Sequence, residues 1–143
     1  FYNQSAFVSG IGENIKPAPS MPKIHAVLVN PRKSCSTQDI FEKFNSGYRK
    51  TVELPSEFDS AHTLCDFLKE QHNDLEDAAI RNIPAIYDIL TLLDEFDGCM
   101  LARMSGSGAT CFGIFDTKDQ AADAKKKLRQ THPDWWIKAG ILN

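Results

Sequence analysis

Apolar positions recur along this chain with two different periods, and the switches between them mark out its elements. Ile24-His25-Ala26-Val27-Leu28-Val29 is a near-continuous apolar run rich in β-branched residues, which predicts a central strand ended by Asn30-Pro31. Before it, Ser5 to Gly10 reads as a short strand. Gly10 and Gly12 flank Ile11 and permit a sharp turn, with Glu13 behind it as a solvated strand-end residue. Pro17-Ala18-Pro19-Ser20-Met21-Pro22 is a stiff connector. Residues 1–22 are therefore expected to form a ribbon and connector, and 23–143 an α+β sandwich.

The period then lengthens to that of a helix. Ser36 or Thr37 is placed to cap a short one, with Ile40, Phe41 and Phe44 on one face and Asn45-Ser46-Gly47 as its stop. Residues 48–59 are polar and irregular and are expected to form a mobile surface loop. Asp59 or Ser60 opens a second helix that carries Leu64, Phe67 and Leu68. Asn73-Asp74-Leu75-Glu76 is the clearest start signal: Asn73 caps, and Glu76 returns the bond from the third position. Leu75, Ala79, Ile83, Ile86, Leu90 and Leu93 follow at helical spacing, with Pro84 kinking or restarting the helix.

Cys99–Met104 and Thr110–Phe115 return to strand character and are near neighbours, so they predict an antiparallel pair. Thr117 and Gln120 form a capping box for a helix that turns Ala121, Ala124 and Leu128 inward until His132-Pro133. Trp135 to Leu142 is the last strand. Its two adjacent tryptophans, Trp135 and Trp136, face opposite ways, one into the core and one over an edge or interface. This order predicts an α+β, ferredoxin-like sandwich: an antiparallel sheet of about four strands with helices packed on one side.

Size and charge narrow the picture. At 143 residues the chain is one domain with room for a core, and a net charge of -3 gives no reason to expect nucleic acid or an anionic membrane as partner. No apolar run is long enough to span a bilayer and no signal peptide is visible, so a cytoplasmic location is expected. The four cysteines, at 35, 65, 99 and 111, lack zinc or redox spacing and read as small buried hydrophobes. His25, His62, His72 and His132 are scattered, and no metal site is expected among them. His25 reads as a satisfied packing residue, His62 and His72 as exposed. Asp74, Glu76 and Asp77 cluster in a first helical turn, where capping explains them more cheaply than a cation does.

The chemistry concentrates in Ser105-Gly106-Ser107-Gly108-Ala109. A turn without bulky side chains lets backbone amides and a hydroxyl approach an oxyanion, and Arg103 stands near to add charge. The same triplet also serves an ordinary hairpin, which is its commoner use. It is neither a Walker loop nor a dinucleotide fingerprint, because it opens into a strand where those open a helix. On pattern alone Phe41 is a core residue more readily than a platform for a flat ligand.

Four segments, in order and with matching spacing, resemble the GHMP small-molecule kinase family: "SAFVSGIGENIKP", "VLVNPRKSCSTQDIF", "NDLEDAAIRNIPAI" and "ARMSGSGATCFGIFD". The match is to the C-terminal half of its branch acting on 4-diphosphocytidyl-2-C-methyl-D-erythritol. The resemblance implies ATP-dependent phosphorylation of that substrate's 2-hydroxyl, with Mg²⁺, on the non-mevalonate route to isoprenoid precursors. It implies that Gly106, Ser107 and Gly108 border the phosphate-transfer site. It further implies that Phe41 stacks on cytosine, that Thr37 lines the same end, and that Glu13 is architectural. The family's ATP-binding second motif and its catalytic Lys and Asp are not in this sequence. The chain, which opens on Phe1 without Met, is therefore expected to be a piece lacking the N-terminal ATP-binding domain, its partner, and to be inactive alone. A non-catalytic ferredoxin-like regulatory or interaction domain, or the C-terminal half of another GHMP kinase, are the alternatives.

Overall fold

The computed structural model describes residues 5–10, 12–34, 36–42 and 52–142. The readings made above for Ile11, Cys35, Phe44, Asn45-Ser46-Gly47 and residues 48–51 lie outside them. Ala6–Ser9 (β1) and Asn14–Pro17 (β2) form an antiparallel hairpin with Val8 opposite Ile15. Gly10 and Gly12 make its turn with φ of 71° and 107°. The Glu13 carboxylate folds over Gly10, where any Cβ would strike it.

The main sheet comprises Ile24–Asn30 (β3), Cys99–Met104 (β4), Cys111–Phe115 (β5) and Trp136–Leu142 (β6), in the order β4-β5-β3-β6 with every pair antiparallel. β3, the most apolar run, lies inside the sheet, and its Val27 and Val29 are fully buried. The short helix α1 is Thr37–Glu42, and α2 is Ala61–Lys69. They are followed by α3 (Glu76–Asn82), α4 (Ala85–Asp94) and α5 (Lys118–Thr131). The predicted class, an α+β fold on a four-stranded antiparallel sheet, is the observed one.

Strand alternation splits the core in two. Val27, Val29, Cys111 and Phe115 face the layer of α3, α4 and α5, together with Ile40 of α1. Ile24, Leu101 and Ile114 face the other way and are covered by Leu64 and Cys65 of α2 and by Phe58. One helix thus lies on the reverse face, where the sequence predicted helices on one side only. The reverse face of the strands is itself apolar, and water would meet it if nothing lay there.

Local signals set most helix boundaries. Ser60 and Thr63 form a reciprocal capping box on α2, as Thr117 and Gln120 do on α5. Ala121, Ala124 and Leu128 are buried as expected. Pro84 restarts the helix: Ile83 leaves helical geometry at φ -135°, and Pro84 precedes α4 at φ -55°. The restart shifts the phase, so Ile89 is buried and Leu90 only half-buried, against the expected continuous stripe.

Further expectations are refined. The end of the supposed loop is tied down, because Phe58 is buried and its N–H donates to Ser20 O at 3.1 Å. The two tryptophans divide as expected, although the inner one is only half-buried: Trp135 packs against the core and stacks on His132 at 3.9 Å, and Trp136 is 39% exposed on the edge strand. His25 packs within β3, yet its buried Nδ1 has no hydrogen-bond partner. Burial pushes the Cys99 thiol up to about 11 and the Cys111 thiol up to about 12, and raises Cys65 as well, so these three are inert packing residues. Among the described residues no helix is long and apolar enough to cross a membrane.

Candidate functional site

The small-residue turn between β4 and β5 is closed by two backbone bonds, Ser105 N–H to Thr110 O at 2.8 Å and Gly108 N–H to Ser105 O at 3.0 Å. Its two glycines differ. Gly106 has φ 56° and faces open space, with nothing within 4 Å of a would-be Cβ. Gly108 has φ 88° and packs on the core, where a Cβ would lie 2.9 Å from Met104 Sδ and 3.3 Å from Ile86 Cδ1. One glycine thus leaves room for a ligand, and the other lets the turn sit tight on α4.

Asn73 and Glu76 brace this turn, which corrects the capping box predicted for them. Asn73 Nδ2 donates to Gly106 O at 2.8 Å and to Met104 O at 3.1 Å. Asn73 Oδ1 accepts the Leu75 N–H at 3.1 Å, and Glu76 Oε2 accepts the Met104 N–H at 3.2 Å. The residue at the N-cap of α3 is Leu75, without a side-chain cap. Both side chains prefer strand and turn groups that helix geometry alone cannot offer. The Glu76 carboxylate also adds to the upward push on Cys111.

Thr37 meets the turn from the other side. Ser36 Oγ accepts the Asp39 N–H at 3.2 Å and fixes the start of α1. Thr37 Oγ1 and Ser107 Oγ then share a hydrogen bond at 3.0 Å, joining residues 70 apart in sequence. Phe41 stands four residues on, on the same helical face as Thr37. It is 57% exposed while its neighbour Ile40 is fully buried. The shared face drawn for Ile40 and Phe41 is therefore wrong, and so is the core reading of Phe41. Helical geometry turns adjacent residues by about 100°, and Ile40 takes the inward position.

Arg103 does not serve the turn. Alternation puts it on the reverse face with Leu101, and its Nη2 donates to Gln71 O at 3.2 Å. Glu13 accepts from Asn14 Nδ2 at 3.0 Å in its own hairpin. Among the described residues no three His, Cys, Asp or Glu group as a metal site. Sequence reasoning missed Asn30, whose Nδ2 donates to Thr110 Oγ1 at 2.8 Å and ties the end of β3 to the turn. It also missed Asn73 and Glu76 as braces, although their spacing was seen.

Thr37 of α1 is bonded to the glycine turn at one end of an α+β sandwich, with exposed Phe41 one helical turn further on. Residues 59–134 match the family model for the GHMP kinases C terminal, and the chain belongs to that family. It is 41% identical over 135 residues to a 4-diphosphocytidyl-2-C-methyl-D-erythritol kinase of Rhodospirillum rubrum, covering 94% of this chain and 44% of that one. It is 40% identical over 135 residues to the enzyme of the same name from Roseobacter denitrificans, covering 94% and 45%. A crystal structure of 4-(cytidine 5'-diphospho)-2C-methyl-D-erythritol kinase superposes with TM-score 0.73 at 27% identity, over 96% of this chain and 49% of that chain. Homoserine kinase from Cytophaga hutchinsonii shares the fold, with TM-score 0.63 at 13% identity, over 96% and 47%. The chain spans about half the length of the curated relatives it matches.

Proposed function

We propose that this chain is the substrate-side half of an ATP-dependent kinase acting on the 2-hydroxyl of 4-diphosphocytidyl-2-C-methyl-D-erythritol. The observation that carries the reading is the 3.0 Å bond between Thr37 and Ser107, which ties α1, the helix carrying exposed Phe41, to the glycine turn. The identity of 38–41% to kinases of that name, over nearly the whole chain, supports the substrate class.

Phe41 offers its ring to cytosine, and Thr37 borders the same end of the substrate. Gly106 leaves the space beside Ser107 clear for a phosphate, and Gly108 seats the turn against α4. Asn73, Glu76 and Asn30 hold the turn rigid, so its polar groups need no rearrangement as charge develops. The acceptor oxygen attacks the γ-phosphorus of ATP, its proton passes to a base, and ADP leaves. That base, a Lys and the ATP-binding loop belong to the N-terminal half. Among the described residues no three His, Cys, Asp or Glu side chains group to hold Mg²⁺.

The test is Phe41→Ala in a polypeptide carrying both halves. KM for the cytidyl substrate should rise about tenfold or more, with kcat and the KM for ATP little changed. An unchanged KM for the cytidyl substrate would overturn the assignment of Phe41.

A further inference from the structure

A second cleft opens at the same end of the sheet, two strands from the glycine turn. Arg32, Arg129, Pro133, Trp135, Trp136, Ile137 and Lys138 line about 370 Å³. That volume falls within the roughly 300–1,000 Å³ usual for small-molecule sites. Three of the lining residues are cations and none is a carboxylate. The gap comes from the topology: β6 begins where β3 ends, with Trp136 opposite Asn30, while the end of α5 passes alongside.

Two of the three cationic residues are tied to the fold. Arg32 has φ 55°, a left-handed conformation that is unfavourable for a non-glycine residue. A bond from its own N–H to Asn30 Oδ1 at 2.7 Å offsets that cost. Arg129 Nη2 donates to Ile137 O at 3.0 Å, which leaves other guanidinium N–H groups for a ligand. Lys138 is exposed on β6. The aromatic groups are asymmetric: Trp135 is stacked on His132 at 3.9 Å, whereas Trp136 is 39% exposed.

We propose that this cleft is a second binding site, distinct from the Phe41 end, for a small phosphate monoester that carries a flat ring. The phosphate lies among Arg32, Arg129 and Lys138, where charge-assisted bonds are strongest and no carboxylate opposes it. The ring packs on Trp136. Asn30 links the two places. Its Oδ1 accepts the Arg32 backbone N–H, and its Nδ2 donates to Thr110 Oγ1 at 2.8 Å at the base of the glycine turn.

The chain's two tryptophans both line the cleft, so their emission reports on it directly. The probe is adenosine 5′-monophosphate, titrated into the full 143-residue chain with excitation outside the adenine band. The expected result is a saturable change in emission that weakens with added salt. Lys138→Ala and Arg129→Ala should each weaken binding about tenfold, whereas Phe41→Ala should leave it unchanged. Lys138→Ala removes an exposed side chain that makes no hydrogen bond or ion pair among the described residues, so it keeps the test open even if Arg129→Ala disturbs β6. Flat emission through millimolar nucleotide overturns the proposal. So does a response that adenosine reproduces, that Lys138→Ala leaves intact, or that Phe41→Ala abolishes.

Discussion

Gly106 and Gly108 stand two residues apart with positive φ, and the surroundings give them opposite sensitivities. Alanine at either must adopt the left-handed region at about 1 kcal/mol. At position 106 nothing else opposes it, because the space is open. At 108 the new methyl lies 2.9 Å from Met104 Sδ and 3.3 Å from Ile86 Cδ1, so overpacking adds about 1–3 kcal/mol. Urea denaturation should therefore show Gly108→Ala to be clearly less stable than Gly106→Ala. Equal losses would mean that the turn is free to lift off α4. The sequence shows two identical letters here, and only the neighbours of each distinguish an open-facing glycine from a packing one.

The segment from Asn73 to Glu76 shows how an element can be read correctly and its purpose misassigned. The spacing of Asn and Glu is that of a capping box, and a helix does begin at Glu76. The side chains nevertheless satisfy Met104 and Gly106, 28 to 33 residues away. A local signal cannot reveal that choice, because the competing partners arrive only when β4 packs beside α3. Asn73→Ala removes two bonds to turn carbonyls and should destabilise the chain by about 1–3 kcal/mol. Amide exchange should speed up selectively at residues 105–109. If exchange there matches the wild type, the brace is not what holds the turn. By contrast, the Thr117–Gln120 box was fully legible, since both of its partners lie within one turn of chain.

At the scale of the whole molecule, the site is one-sided. The turn, Thr37 and Phe41 converge at one end of a sheet, and exposed Phe41 has no cover among the described residues. Phosphoryl transfer depends on groups closing around the reacting phosphorus from several directions. The 143-residue chain by itself should give no ATP-dependent phosphorylation of the cytidyl substrate, and joining it to the N-terminal half should restore turnover. Radiolabel transfer from ATP checks both, and turnover by the chain alone would sink the division of labour proposed here.

The sequence by itself determined the order of the main strands and helices, the antiparallel β4-β5 pair, an interruption at Pro84 and the location of the glycine turn. These follow from periodicity, caps and backbone restrictions, which act over a few residues. Tertiary structure alone decided that α2 covers the reverse face and that Arg103 turns away from the loop. It also decided that Phe41 stays exposed while Ile40 is buried, and that Thr37 meets Ser107 across 70 residues. Those outcomes depend on which surfaces compete for burial and which polar groups find each other, and that competition begins only when distant segments pack.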